Sequence, residues 1–411
     1  MESKSIATNI LWNTFGNIVY LVCQWLLSVV VVRISGSYAD AGVLTLAIST
    51  TNIFATLAAF SVRNYQVSDL SEKYSQSDYI AHRLITCSAA VILCIAFTMI
   101  SSYRLSVALS IAAYMLMKTV EAFADVFHGV LQKRWRLDIV GRSCIYRGVI
   151  LIVSFTLVYK LLGQLPLALL IMAMLTAAIF FLYDFRVVRK LTDLSCRFNR
   201  SNLIALSKDC LPVLGYSLFL NAIVLTARFF IERYHGEEML GYYGSVSTIA
   251  VIVQAASNLI LTPLNGTISW YYAQGKRRDI LALSGKVILL LAALTSVSLA
   301  GAAMLGEFAL TLLFGETIRP YAYLLFPTIL ASCLTGLVWF LGMLLTIMRQ
   351  MKALIMGAVI GFVVCAALSV ALIPELAFTG ANIAAVTALS AIALIYASAI
   401  AKKLLNVNKG G

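Results

Sequence analysis

Apolar runs of about twenty residues recur from one end of this chain to the other, separated by short polar turns. A run of that length crosses the hydrocarbon of a bilayer as a helix, which satisfies its backbone hydrogen bonds without help from water. Twelve spans are predicted, at approximately 10–32, 41–62, 83–102, 105–130, 139–161, 165–183, 210–231, 241–265, 281–305, 320–347, 353–373 and 378–400. Glu307–Arg319 leaves room for a half-inserted or interfacial segment before the tenth. Composition agrees: 61% of residues are hydrophobic and 12% charged, which excludes a water-soluble enzyme, since soluble chains carry roughly a quarter charged residues. The expected fold class is therefore all-α integral membrane.

The net charge of +13 then reads as topology, not as nucleic-acid binding. Nearly all lysines and arginines fall in the turns on one side of this layout. Arg33, Arg104, Lys160, Arg233 and Arg319 fall on the other, and Lys118 and Arg228 lie inside spans. Such a bias places both termini in the cytoplasm and fits an even number of spans. The first residues, 1–9, lack a small-residue cleavage site, so an uncleaved first helix is expected.

Six spans return the chain to its starting side, so a second set of six inserts in the same orientation. An echo between the halves supports this division: Arg33-Ile34-Ser35-Gly36 follows the first span and Arg233-Tyr234-His235-Gly236 the seventh. Residues 1–183 and 210–411 form two six-helix bundles on this reading. The basic stretch 184–209 joins them in the cytoplasm, either as a plain linker or as an amphipathic helix on anionic lipid.

The fourth span contains Lys118, Glu121, Asp125 and His128, spaced i, i+3, i+7, i+10 and therefore along one helical stripe. Charge at bilayer depth is costly and normally faces protein or a wet cavity. This leaves two readings. Either Lys118 and Glu121 neutralise one another while Asp125 and His128 sit near the cytoplasmic headgroups, or the stripe lines a polar chamber. Amides recur elsewhere in spans: Asn9, Asn13, Asn17 and Gln24 on the first, Asn221 on the seventh, and Gln254, Asn258 and Asn265 on the eighth. Interhelical hydrogen bonding would account for any one of them. Arg228 offers a planar fork that suits phosphate oxygens, or it snorkels to the outer headgroups. Arg63, Arg142 and Arg147 stand where they could line the inner mouth or simply report topology. Gly129 and Pro263 mark points where a helix could flex or kink.

The eight cysteines are scattered without metal-type spacing and read as small buried hydrophobes. There is no GxxxxGK[ST], no HExxH and no GxSxG, and only three histidines. No catalytic residue, metal or cofactor is expected. The absence of long external loops also argues against a membrane-embedded glycan polymerase or ligase.

Asn13, Gly16, Arg33, Gly36 and Gly42, then Asp125, Gly129, Leu131-Gln132 and Arg136, and Leu312-Leu313-Phe314-Gly315 are together similar to the polysaccharide-biosynthesis flippases (Wzx-type). That group shares a superfamily with the MATE multidrug exporters and the lipid II flippases. The resemblance implies two parallel bundles around a central cavity in a bacterial cytoplasmic (inner) membrane. It implies transfer of an undecaprenyl-diphosphate-linked oligosaccharide, a unit of O-antigen, lipopolysaccharide or capsule, from the inner to the outer leaflet. Arg228 and Lys118 would hold the diphosphate, with Arg63 and Arg147 at the inner mouth and Asn13 and Asn221 bonding sugar hydroxyls. Glu121 or Asp125 would couple transport to a proton or sodium ion, with membrane lipids and polysaccharide-assembly proteins as partners. A MATE-like cation-coupled drug exporter is the alternative.

Overall fold

A computed structural model describes residues 6–69, 73–192 and 198–406, and secondary structure among them is helical, without strands. The first helix, α1 (Ile6–Ser35), ends where Gly36 adopts φ 64°, a left-handed turn that glycine makes without steric cost. Ser37 then caps α2 (Tyr38–Ala59) by accepting the Ala39 N–H. A short α3 (Val62–Ser68) precedes α4 (Gln76–Ile100), which begins at a capping box between Ser75 and Asp78. Next come α5 (Leu105–Lys133), α6 (Leu137–Leu162) and α7 (Leu165–Ile179). A π-helical turn at Phe180–Phe185 continues α7 into the one-turn α8 (Arg186–Arg189).

Beyond these lie α9 (Arg200–Leu261), α10 (Leu264–Ala273), α11 (Arg277–Phe314), a 3-10 segment at Glu316–Leu324, α12 (Leu325–Ile347) and α13 (Met351–Asn406). Ten helices of the described residues are long and apolar enough to cross a membrane. Two of them each cover a pair of expected spans. The 62 residues of α9 would reach about 90 Å as a straight rod, some three times the hydrocarbon thickness. The helix is broken at Gly236, where φ is 86° and ψ 175°. In α13 the break falls at Ala377, three residues after Pro374, and the helix doubles back, since the Tyr396 hydroxyl donates to the Leu354 carbonyl at 2.6 Å. Pro263 sits in the turn between α9 and α10, in keeping with the kink its sequence position predicts.

The Glu307–Arg319 stretch is not a separate inserted piece. Its first part completes α11, and Arg319 closes back on Glu307 at 2.5 Å from the 3-10 segment.

The chain forms two compact units, Met1–Leu218 and Phe219–Gly411. In the first, α1 lies along α6, while α5 is flanked by α2, α4 and α7. The α1–α6 approach is close because both sides are glycine: a Cβ on Gly16 would fall 2.1 Å from the Gly141 carbonyl oxygen. In the second unit, α12 packs between α11 and α13. Large apolar side chains such as Leu11, Ile92, Met99 and Leu161 are exposed, whereas Arg83, Asp138 and Asp184 are buried. That inversion of a soluble core fits a surface meant for lipid. Seven cysteines are buried and unpaired, and Cys196 lies outside the described residues.

Candidate functional site

Within the first unit the stripe on α5 faces protein as its spacing predicts, but each level meets a different neighbour. The Lys118 ammonium reaches Glu121 at 2.9 Å and lies over the Tyr114 ring. Glu121 is also the acceptor for the Tyr20 hydroxyl and, at 3.0 Å, for the Gln24 amide of α1. Three donors, two from α1 and one from α5 itself, thus converge on one carboxylate. This is the expected neutral pair, with two further hydrogen bonds that disperse its charge.

Behind Tyr20 stands Arg147 of α6, 4% exposed, its guanidinium 5.6 Å from the Tyr20 ring centre. The α1–α6 glycine contact makes this possible, since a Cβ on Gly148 would already crowd Tyr20 Cα at 3.1 Å. Arg147 Nη2 reaches only the soft Cys144 Sγ at 3.8 Å, and its Nε has no partner among the described residues. A buried guanidinium with spare donors is set to receive an anion's oxygens.

One level further along, Asp125 is held between Arg63 of α3 at 3.0 Å and Arg83 of α4 at 3.2 Å. Arg83 is fully buried and also donates to the Ala58 carbonyl at 2.6 Å, while Arg63 reaches Gln132. Any ion coupling at Asp125 would have to act from within this clamp. Bonded to a guanidinium at each oxygen, this carboxylate ties α3 and α4 to α5. Arg63 is likewise committed to that clamp. Gly129 admits Gln66, whose side chain occupies the space a Cβ would need.

His128 ends the stripe. It is buried within the protein, its Nε2 3.2 Å from Asp184, which also accepts from Ser143 at 2.7 Å. Asp184 begins the stretch expected as a linker, yet it is completely buried in the first unit. The π-helical turn explains its position, because i→i+5 bonding inserts a residue and rotates the turns C-terminal to it. Asp184 and Arg147 also act on each other electrostatically.

Asn13 lies half-buried on α1, with its carbonyl and amide oxygens taken by Asn17. Arg228 and Asn221 belong to the second unit, both half-buried on α9, with Arg228 electrostatically coupled to Tyr243. Tyr20, Arg83, Ser143 and Asp184 escaped sequence reading. Only Asp184 carried a signal, being a lone carboxylate inside the aromatic run Phe180–Phe185.

No family model matches the chain. Over 307 residues it is 24% identical to the capsular polysaccharide biosynthesis protein CapF of Staphylococcus aureus, covering 73% of this chain and 75% of that one. Its architecture is similar to the inward-facing conformation of a multidrug resistance MATE family transporter of the MOP superfamily. That match has a TM-score of 0.75 at 11% identity, over 98% of this chain and 99% of the other. The fold is that of the MOP-superfamily transporters. A second MOP-type likeness is to the lipid II flippase MurJ in an inward closed conformation, with TM-score 0.72 and 14% identity over 97% and 89% of the two chains. Those two structures are of a transporter and a flippase, not of enzymes. The MOP fold extends over nearly the whole chain, so the buried network of α1, α5 and α6 and the arginine of α9 both lie within it.

Proposed function

We propose that this protein is a flippase that carries an undecaprenyl-diphosphate-linked oligosaccharide from the inner to the outer leaflet of a bacterial cytoplasmic membrane by alternating access. The observation that carries the proposal is Arg147, buried among apolar helices with donors to spare, beside the Tyr20–Glu121–Lys118 network. A diphosphate needs such a cation at membrane depth, and an organic cation does not. The MOP fold and the sequence similarity to CapF support the same reading.

On this reading α9 and α13 each make two passes, giving twelve in two parallel six-helix halves about a central cavity, with both termini cytoplasmic. Arg147, Lys118 and Arg228 hold the diphosphate, and Asn13 and Asn221 meet the sugar. Glu121 is the group whose protonation couples transport to an ion. The membrane potential contributes about 2.3 kcal/mol per charge per 100 mV to a dianion leaving a negative interior.

The test is a vesicle assay with a labelled lipid-linked oligosaccharide, scored by how much label becomes accessible to an external glycosidase. Wild-type protein should expose the label. Arg147→Ala should slow it about tenfold or more at equal protein level, the loss expected for one charge-assisted contact. A MATE-like cation exporter is the second reading, favoured by the first of the solved structures. Efflux of organic cations without movement of the glycolipid would establish it and overturn the flippase.

A further inference from the structure

A cleft of about 410 Å³ lies in the first unit, with none of its lining residues in the Glu121 network. Its walls are Leu57 and Phe60 from the end of α2, Ile85 and Ala89 from α4, and Leu203 and Ile204 from the start of α9. Four other lining residues are polar, Thr86, Ser207, Arg200 and His82, and the last two have something to offer a ligand. Arg200 is exposed at the rim and makes no ion pair among the described residues, and the exposed Phe198 stands two residues before it. His82 is 2% exposed, and its Nδ1 has no partner among the described residues.

The proton on that imidazole can be placed from the hydrogen bonds. Ser207 Oγ donates its one hydrogen to the Leu203 carbonyl at 2.8 Å, so it can only accept from His82 Nε2 at 2.9 Å. Nε2 therefore carries the hydrogen, and Nδ1 of the neutral ring is an acceptor without a donor. A buried acceptor left unmet is costly, so the cleft is suited to a ligand that brings a hydroxyl.

Three demands are thus made at one place: an apolar body against α2 and α4, a hydroxyl for His82, and a negative charge for Arg200. We propose that the cleft binds a hydroxylated anionic phospholipid of the phosphatidylglycerol class, taken from the surrounding bilayer, with an acyl chain along Ile85 and Ala89. At about 410 Å³ the cleft has room for one acyl chain, but for only about one turn of a partner helix some 10 Å across. The inference requires only that the chain spans a membrane. It stands or falls independently of the flippase reading.

The experiment is native mass spectrometry of the purified full-length protein titrated with three lipids of identical acyl chains. These are phosphatidylglycerol, phosphatidylmethanol (anionic, without a hydroxyl) and phosphatidylcholine. Phosphatidylglycerol should bind about tenfold tighter than phosphatidylcholine, with phosphatidylmethanol between them. Arg200→Gln, a change at an exposed side chain, should erase the preference for anionic lipid. His82→Phe keeps the ring packed against Phe60, 5.0 Å away, and should make phosphatidylglycerol and phosphatidylmethanol equal. Ala89→Trp should remove the tight site for all three. Equal binding of the three lipids by wild-type protein, or a phosphatidylglycerol preference that survives both Arg200→Gln and Ala89→Trp, would overturn the proposal. Displacement of phosphatidylglycerol by equimolar undecaprenyl phosphate would assign the cleft to a prenyl lipid and overturn it as well.

Discussion

Two carboxylates four residues apart on α5, Glu121 and Asp125, have different work to do, and their donors decide it. Asp125 has both oxygens on guanidiniums, one of them wholly buried. Asp125→Asn would leave Arg63 and the buried Arg83 without a counter-charge and should cost about 1–3 kcal/mol, the usual loss when a buried donor loses its partner. Thermal unfolding of the purified protein in detergent measures this, and a variant as stable as wild type would release Asp125 from its clamp. Glu121 instead takes neutral donors from Tyr20 and Gln24 and a single charge from Lys118. Glu121→Gln keeps an acceptor for the two neutral donors but strands the ammonium, and adding Lys118→Met should recover part of the loss. The coupling between the two changes should be about 1–3 kcal/mol by double-mutant cycle, and additivity would show that the pair is not energetically linked.

At the scale of elements, helix crossings and bends set where these side chains meet. The α1–α6 crossing depends on Gly16 and Gly141, whose added Cβ atoms would each collide with backbone of the other helix at 2.1 Å. Gly141→Ala should force the helices apart, at about 1–3 kcal/mol, and should also draw Arg147 away from Tyr20. A drop in melting temperature accompanied by slower transport is the expected pair of results. The bend in α13 has the opposite prospect. Ala377 holds φ 44° and ψ −118°, a conformation that an L side chain opposes and glycine accepts. Ala377→Gly should stabilise the protein by about 1 kcal/mol in the same unfolding measurement; a loss of stability would mean that the methyl contributes packing. The π-helical turn at Phe180–Phe185 acts in the same way, bringing Asp184 to His128 and Ser143.

For the whole molecule, orientation decides the direction of transport. In a cysteine-free background, single cysteines at Ser37 and Trp135 test it, both at exposed turn positions. A membrane-impermeant maleimide should label the first in intact cells and the second only after permeabilisation. The reverse pattern would turn the protein over and with it the proposed flux. Much of the architecture was legible beforehand because hydropathy is a local count: each span is announced by its own residues, and Gly36, Gly236 and Pro263 mark turns that any neighbour must accept. The stripe on α5 was legible for the same reason, as its spacing alone fixes a common face. Partnership was not. Whether Asp125 meets two arginines or water, whether Asp184 lies in a loop or deep in a bundle, and whether Arg147 keeps donors free depend on which helices touch and at what rotation. Those contacts join residues up to more than a hundred positions apart, and a single π-helical turn resets the rotation, so no local pattern records them.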